Sequence, residues 1–143
     1  HLLELIDWHL LTLFCALFIV VQGIAAEQLP ARIMATLTSN GITLTDPLTL
    51  TGVAALLSNL VSNVPAAMLL TRFLDPAQPQ QWYTLAVAST FAGNLIVIGS
   101  IANLIVIEQA AACGVNISFR DHARVGIPVT IVSLIVLAAW IAV

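Results

Sequence analysis

Charged side chains are so scarce in this chain that they cannot cover a water-facing surface. The 143 residues include four arginines, no lysine and seven acidic residues. Soluble globular domains carry a charge at about 25% of their positions, whereas this chain does so at 8%. The composition therefore predicts an integral membrane protein and excludes a disordered chain, a collagen-like chain and an ordinary soluble enzyme domain.

The composition also bears on nucleic acids, metals and cofactors. Four arginines cannot form the basic stripe that neutralises phosphates, so we expect no nucleic-acid partner. Cys15 and Cys113 lie in apolar runs and are interpreted as small buried hydrophobic residues rather than a disulfide or metal ligands. The histidines do not pair at ligand spacing. We therefore expect no resident metal and no cofactor. The histidines are His1, His9 and His122.

Two apolar runs are long enough to cross a bilayer, which takes about 20 residues in a helix. They cover residues 8–26 and 125–143, and Pro128 lies in the predicted first turn of the second run. Residues 27–46 are more polar, and their apolar residues recur at three- and four-residue spacing. This pattern predicts a short interfacial helix that stops at Ser39–Gly41.

Residues 47–75 predict a re-entrant hairpin. The helix is expected to begin with Asp46 as N-cap, but the apolar halves 48–57 and 66–74 are each too short to cross a bilayer. Polar side chains facing lipid are costly, and irregular backbone at membrane depth needs protein or a cavity around it. Four polar residues and a predicted hinge proline separate the halves: Ser58, Asn59, Ser62, Asn63 and Pro65.

Residues 82–113 predict a broken transmembrane helix. One continuous helix of this length would measure roughly 48 Å, against a hydrocarbon core of about 30 Å. Glycines and polar residues interrupt it at Gly93, Asn94, Gly99, Ser100 and Asn103. We expect an unwound stretch there, followed by a short amphipathic connection over 118–122.

Arginine placement predicts the orientation of the chain. Arg120 and Arg124 lie beside two predicted membrane ends, and cytoplasmic loops are enriched in such residues. The final helix then runs outward and the hairpin opens to the external side. Arg72, near the hairpin mouth, weakens this assignment.

The polar residues and glycines of the two interrupted segments form the candidate substrate and ion site. They are Ser58, Asn59, Ser62, Asn63, Gly93, Asn94, Gly99, Ser100 and Asn103. We consider the serine and asparagine side chains first. They do not titrate near neutrality, and they suit an ion or a small polar solute held by hydrogen bonds and carbonyl oxygens. Transient Na⁺ binding is expected at Asn63 and Asn94. Helix termini freed by the breaks would add partial charge, and two interrupted segments typically mark a transporter site.

Two other interpretations of these residues remain. The polar side chains could only hold helices together, in a membrane subunit that transports nothing. An intramembrane serine enzyme would need a base beside Ser58 or Ser62, and the sequence offers none. Glu108 is the only acidic residue inside an apolar run, and it lies five positions beyond Asn103. The candidate site itself therefore carries no charge, which favours an anion or carboxylate as the solute over pure cation exchange.

The interrupted segments together resemble the C-terminal half of the ArsB/NhaD-type permeases. These belong to the ion transporter superfamily, with the citrate transporter-like domain and the divalent anion/sodium symporters. The resemblance covers nearly the whole chain in order. It rests on residues 6–8 with 13–20, 58–65, 92–103, 117–119 and 126–128.

This resemblance implies an all-α secondary transporter built from two inverted repeats. The chain, a single membrane domain over 1–143, would be the second repeat, and 27–46 would link a scaffold to a moving domain. Implied partners are the lipid bilayer, the N-terminal repeat, a small anionic or ionic solute and a second copy in a homodimer. The coupling ion would be Na⁺ or H⁺, in the inner membrane of a bacterium, with Na⁺/H⁺ or arsenite-type exchange as alternatives. Because the chain opens at His1 without a signal peptide, we expect a fragment of a longer protein.

Overall fold

A computed structural model describes residues 8–142, and these residues form seven α-helices without a strand. The all-helical class predicted from the sequence is therefore confirmed for the described part of the chain. Short 3₁₀ turns lie at Thr71–Phe73 and Val97–Gly99. The helices are α1 Trp8–Ala26, α2 Leu29–Ser39, α3 Pro47–Val61, α4 Asn63–Leu70, α5 Pro79–Ala92, α6 Ile101–Ala112 and α7 Phe119–Ile141.

The chain divides after Asn40 into two compact units. In the first, α1 contacts α2 across a bend of 58°. Gln28, between the helices, adopts a left-handed φ of 56°. As predicted, α2 stops at Ser39; the Asn40 amide then donates to carbonyls of the last turn, and Gly41 follows with a φ of 80°.

One helix among the described residues, α7, is long and apolar enough by itself to cross a membrane. The bent pair of Leu11–Ala26 and Leu29–Ser39 would add a second span if its two helices cross together. The hydrophobic residues on α7 are mostly exposed, as on a helix that faces lipid. They include Val125, Val129, Ile131, Val132, Ile135, Val136 and Trp140.

The start of α7 corrects the boundary predicted at residue 125. The hydroxyl of Ser118 accepts from the Asp121 amide, and the Asp121 carboxylate accepts from the Ser118 amide, so a capping box starts the helix at Phe119. The predicted connection over 118–122 is therefore the beginning of α7. Pro128 lies inside the helix rather than in its first turn.

The second unit is built around the contact of α3 with α5. Leu50, Ala54 and Ser58 recur every four residues on the buried face of α3. On α5, Ala88 and Ala92 are completely buried. Small residues of this kind let two helix backbones approach closely, which is the usual mode of helix packing in membranes. Helices α4 and α7 pack against the other sides of α5.

The segment predicted as a hairpin bends at one residue. As predicted, the Asp46 carboxylate caps α3 by accepting from the Thr49 amide at 2.7 Å. Hydrogen bonds from the hydroxyl and amide of Thr49 hold the pKa of Asp46 below its ordinary value. Helix α3 continues to Val61, so the polar midpoint is not a loop, and Ser62 makes the bend with a φ of 74°.

Pro65, the predicted hinge, is the third residue of α4. A helix leaves its first N–H groups without intrahelical partners, so a proline there costs no hydrogen bond. The bend therefore lies three residues before the predicted hinge. The re-entrant course of α3 and α4 through a bilayer stays a prediction.

The second interruption separates α5 from α6. Helix α5 starts at Pro79, three residues before the predicted boundary, and ends at Ala92. Residues 93–100, here called the break segment, contain one 3₁₀ turn and no α-helix. Asn103, predicted inside the unwound stretch, lies in the first turn of α6.

The two cysteines are exposed and free. Their interpretation as buried residues is therefore wrong, because each lies on an outward-facing side of the chain. Cys15 belongs to α1 and Cys113 follows α6.

Candidate functional site

The end of α5 is held by side chains from the helices around it. The last carbonyl groups of a helix have no intrahelical donor and need partners from elsewhere. Asn59 of α3 donates from Nδ2 to the Ala92 carbonyl at 3.0 Å. Thr130 of α7 donates from Oγ1 to the Phe91 carbonyl at 3.3 Å. Both contacts fix the point where the break segment begins.

Asn103 connects the two arms of the broken helix. Its Nδ2 donates to the Gly93 carbonyl at 2.8 Å and to the Ile96 carbonyl at 3.3 Å. Because Asn103 belongs to the first turn of α6, these bonds hold α6 against the end of α5. Ser100 caps α6, and its Oγ accepts from the Ala102 amide at 3.3 Å. The break segment is therefore a defined bend in the chain.

The backbone leaves little room for a side chain at Gly93 and Gly99. A Cβ at Gly99 would lie 2.9 Å from the Gly93 carbonyl oxygen and 2.9 Å from Asn59 Oδ1. A Cβ at Gly93 would meet the Gly99 carbonyl oxygen at 3.1 Å. The backbone thus folds back on itself against the last turn of α3, in a space that a side chain would fill.

Helix α7 reaches the break segment through His122. Its Nε2 lies 3.1 Å from the Asn94 carbonyl oxygen. Gly126 packs against that same oxygen so closely that a Cβ there would overlap it. A cavity of about 400 Å³ adjoins this contact. It is lined by Asn94, Ile117, Asp121, His122, Val125, Gly126 and Val129.

Three buried oxygen atoms near the hairpin bend have no hydrogen-bond partner among the described residues. They are Ser58 Oγ, Asn59 Oδ1 and Ser62 Oγ, here called the orphan oxygens. Ser58 is completely buried. Native proteins satisfy the large majority of buried polar side chains, so three such atoms within five residues mark this place as a candidate for a bound ion, solute or water. A fourth atom of this kind, Thr84 Oγ1, lies two turns before the end of α5.

Asn63 belongs to a separate pocket. Its Oδ1 accepts from the Val64 amide at 2.9 Å. Its side chain also lines an open cavity of about 370 Å³ between α4 and α5. Ser89 and Thr90 line the same cavity from α5. Among the described residues, no group of three or more His, Cys, Asp or Glu is placed to hold a metal ion.

The structure thus gathers most of the predicted site residues and separates the others. Asn59 lies beside Gly99, Ser100 lies beside Gly93, and Asn103 donates to the Gly93 carbonyl, so these residues form one cluster. Ser58 and Ser62 lie on either side of Asn59 in the sequence, with their oxygen atoms buried. Asn63 faces the cavity beside α4. The contact made by Asn94 goes through its backbone carbonyl, which any residue at that position would provide.

Sequence reasoning missed the part of α7 that contacts this cluster. His122, Gly126 and Thr130 are spaced four residues apart, which places them on one face of a helix. Two polar side chains and a glycine at four-residue spacing on a mostly apolar helix were the available signal. The predicted start at residue 125 left His122 outside the helix and hid that pattern.

Comparisons of the sequence with known proteins identify a family. The citrate transporter family profile matches residues 1–92. A 46 kDa membrane protein of Mycobacterium leprae is 34% identical over 92% of this chain and 33% of its own length. The silicon efflux transporter LSI3 of Oryza sativa subsp. japonica is 36% identical over 91% of this chain and 30% of its own length.

A putative transporter arsB of Dictyostelium discoideum is 32% identical over 92% of this chain and 24% of its own length. The chain therefore spans a third or less of these relatives. No solved structure matches it significantly. The resemblance to ArsB/NhaD-type permeases is confirmed, and the names of the family and of the relatives indicate a transporter rather than an enzyme. The chain is an integral membrane protein and belongs to the citrate transporter family.

Proposed function

We propose that this chain provides one half of the substrate site of a secondary active transporter. The orphan oxygens carry this proposal. They lie in and beside the last turn of α3, at the point where Asn59 contacts the end of α5. Many secondary transporters bind their ions and solutes where two interrupted helices meet, and the buried oxygen atoms here lie at such a place.

The orphan oxygens suit a coupling cation. Hydroxyl and amide oxygens are hard ligands, and they carry no charge that would hold a divalent ion permanently. Na⁺ matches this donor set, and H⁺ is the alternative coupling ion. Asn63 and Asn94 were the residues predicted for transient Na⁺ binding. We now add Ser58, Asn59 and Ser62 as the first candidates for its ligands.

The solute is a small anion, of the carboxylate class. Helices α4 and α6 begin directly after the bend and the break segment, and helix N-termini carry partial positive charge. The cavity beside Asn63, with Ser89 and Thr90, adds neutral hydrogen-bonding groups. Its volume of about 370 Å³ falls within the usual range for small-molecule pockets.

An uncharged hydroxylated solute is the second candidate. The site offers hydroxyl and amide groups and, of its described members, no cationic side chain. Such a lining also binds a neutral oxyacid by hydrogen bonds alone. The name of the rice relative, a silicon efflux transporter, agrees with this class of solute.

The other half of the site would come from a further part of the protein. The relatives are about three times as long as this chain, and two inverted repeats would account for that length together with their connections. The lipid bilayer and this second repeat are therefore the proposed partners. A homodimer and a bacterial inner membrane complete the proposal.

Uptake into proteoliposomes tests the function. The full-length protein is reconstituted into liposomes, and radiolabelled citrate or silicic acid is added outside. Uptake is measured under either an inward Na⁺ gradient or an inward H⁺ gradient. We expect saturable citrate uptake driven by Na⁺. Ser58→Ala should raise the Na⁺ concentration needed for half-maximal uptake, whereas Ser39→Ala, at the exposed end of α2, should not. Uptake of neither compound under either gradient would contradict the proposal.

A further inference from the structure

We infer that His122 is a positioning residue, which holds the carbonyl of Asn94 and so fixes the shape of the break segment. Its Nε2 reaches that oxygen at 3.1 Å, across 28 residues of sequence. Asn59 and Asn103, which also hold carbonyls at this bend, lie on the two interrupted elements themselves. His122 instead belongs to α7, which is uninterrupted.

Gly126 completes the contact from the next turn of α7. A Cβ at this position would overlap the Asn94 oxygen and would also lie 3.2 Å from His122 Nε2. The carbonyl is therefore confined between an imidazole that hydrogen-bonds to it and a backbone that leaves it just enough room. A change at either residue should move the same oxygen atom.

The charged residue nearest to His122 in the sequence does not compete with Asn94 for its Nε2. Asp121, the one charged residue that shares its cavity, is engaged by Ser118. The Asp121 carboxylate accepts from Ser118 Oγ at 2.6 Å and from the Ser118 amide at 3.1 Å. The adjoining cavity of about 400 Å³ gives the break segment space to move if the contact is lost.

This position connects α7 to the proposed solute site. Asn94 follows Gly93 in the sequence. Asn103 donates to the Gly93 carbonyl, and Gly93 packs against Gly99, which lies beside Asn59. Displacing the Asn94 carbonyl therefore shifts the backbone that shapes the cluster around the orphan oxygens. The inference rests on the proposed function only for its effect on transport, because the contact itself can be measured in a protein that transports nothing.

Two amide variants separate the hydrogen bond from the bulk of the side chain. In His122→Gln, the Nε2 amide nitrogen can occupy the place of the imidazole Nε2 and donate to the same carbonyl. In His122→Asn, the amide nitrogen lies near the imidazole Nδ1 position and falls short of the carbonyl. His9→Asn, on the exposed surface of α1, is the matched control.

The first measurement is amide hydrogen exchange of residues 93–100 in the full-length protein in lipid nanodiscs. We expect exchange in His122→Asn to be roughly three- to tenfold faster than in the wild type, and His122→Gln to restore the wild-type rate. Gly126→Ala should accelerate exchange in the same peptide, since its methyl group displaces the carbonyl. Unchanged exchange in both His122→Asn and Gly126→Ala would overturn the inference.

The second measurement is the KM and maximal rate of citrate uptake by the same variants. We expect His122→Asn to raise KM by roughly three- to tenfold with a maximal rate within twofold, and His122→Gln to bring KM back. Equal impairment of both variants would overturn a role for the hydrogen bond. If the wild type does not carry citrate, the proposed solute fails while the exchange data still decide the role of His122.

Discussion

The asparagines near the two interruptions form different kinds of hydrogen bond, although all of them are polar residues in apolar segments of the sequence. Asn59 and Asn103 donate to backbone carbonyls at the end of α5 and in the break segment. Asn63 bonds to the amide of the next residue and lines a cavity. Asn94 makes its contact through its backbone. Alanine substitutions should therefore divide into two classes.

Asn59→Ala and Asn103→Ala should destabilise the full-length protein. Each removes the donor for a carbonyl inside the bend, and a buried group left without its partner costs about 1–3 kcal/mol. Thermal unfolding in detergent measures the loss as a lowered melting temperature. Asn63→Ala and Asn94→Ala should keep the wild-type melting temperature, because neither side chain holds a distant backbone carbonyl. The sequence predicts that both amides face the solute, and each variant should then weaken citrate binding roughly tenfold, because losing a hydrogen bond to a charged ligand costs about 1.5–3 kcal/mol. Lowered stability with wild-type affinity in the second pair would remove Asn63 and Asn94 from the site.

At the scale of elements, the sequence predicted two boundaries that depend on local chemistry, although the capping box of Ser118 and Asp121 that starts α7 was missed. Asp46 before Pro47 marked the start of α3, and Ser39–Gly41 marked the end of α2, because capping acts through neighbouring residues. The bend at Ser62 was not predictable, since the sequence places a proline three residues later and serine has no preference for a φ of 74°.

For the candidate site, the polar residues could be predicted from the sequence, but their contacts could not. The serines, asparagines and glycines of the interruptions were visible as polar residues in apolar segments. Their partners were not, because the contacts of Asn59 with Ala92 and of His122 with Asn94 span about thirty residues. Such pairings are set by how helices pack, and a single sequence carries no record of them.

The short length of α4 predicts that the segment formed by α3 and α4 enters and leaves the membrane on the same side. At 1.5 Å per residue, the eight residues of α4 extend only about 12 Å, far less than a hydrocarbon core of about 30 Å. Single cysteines at Asp46 and Asp75, in a background without Cys15 and Cys113, should react with an impermeant maleimide from the same side. A cysteine at Ser39 serves as the control for accessibility. Labelling of positions 46 and 75 from opposite sides would make this segment a membrane span.

For the whole molecule, the length of the relatives matters most. The chain covers 33% of the Mycobacterium leprae protein and 30% of the rice transporter. A site shared between two repeats leaves one repeat alone with orphan oxygens that nothing completes. We therefore predict that the 143-residue chain, purified by itself, inserts into liposomes without transporting.

Citrate uptake by liposomes that contain only the 143-residue chain tests this prediction most directly. The full-length protein in parallel liposomes is the positive control. The chain alone should show no saturable uptake under a Na⁺ or an H⁺ gradient, because a transporter must expose its site to each side in turn and one repeat supplies only one of the two gates. The folding of the reconstituted chain can be verified separately by its helical circular dichroism, so that an unfolded sample is not mistaken for an inactive one. Saturable uptake by the inserted chain would show that it forms a complete site, either alone or as a homodimer, and the two-repeat proposal would then be wrong.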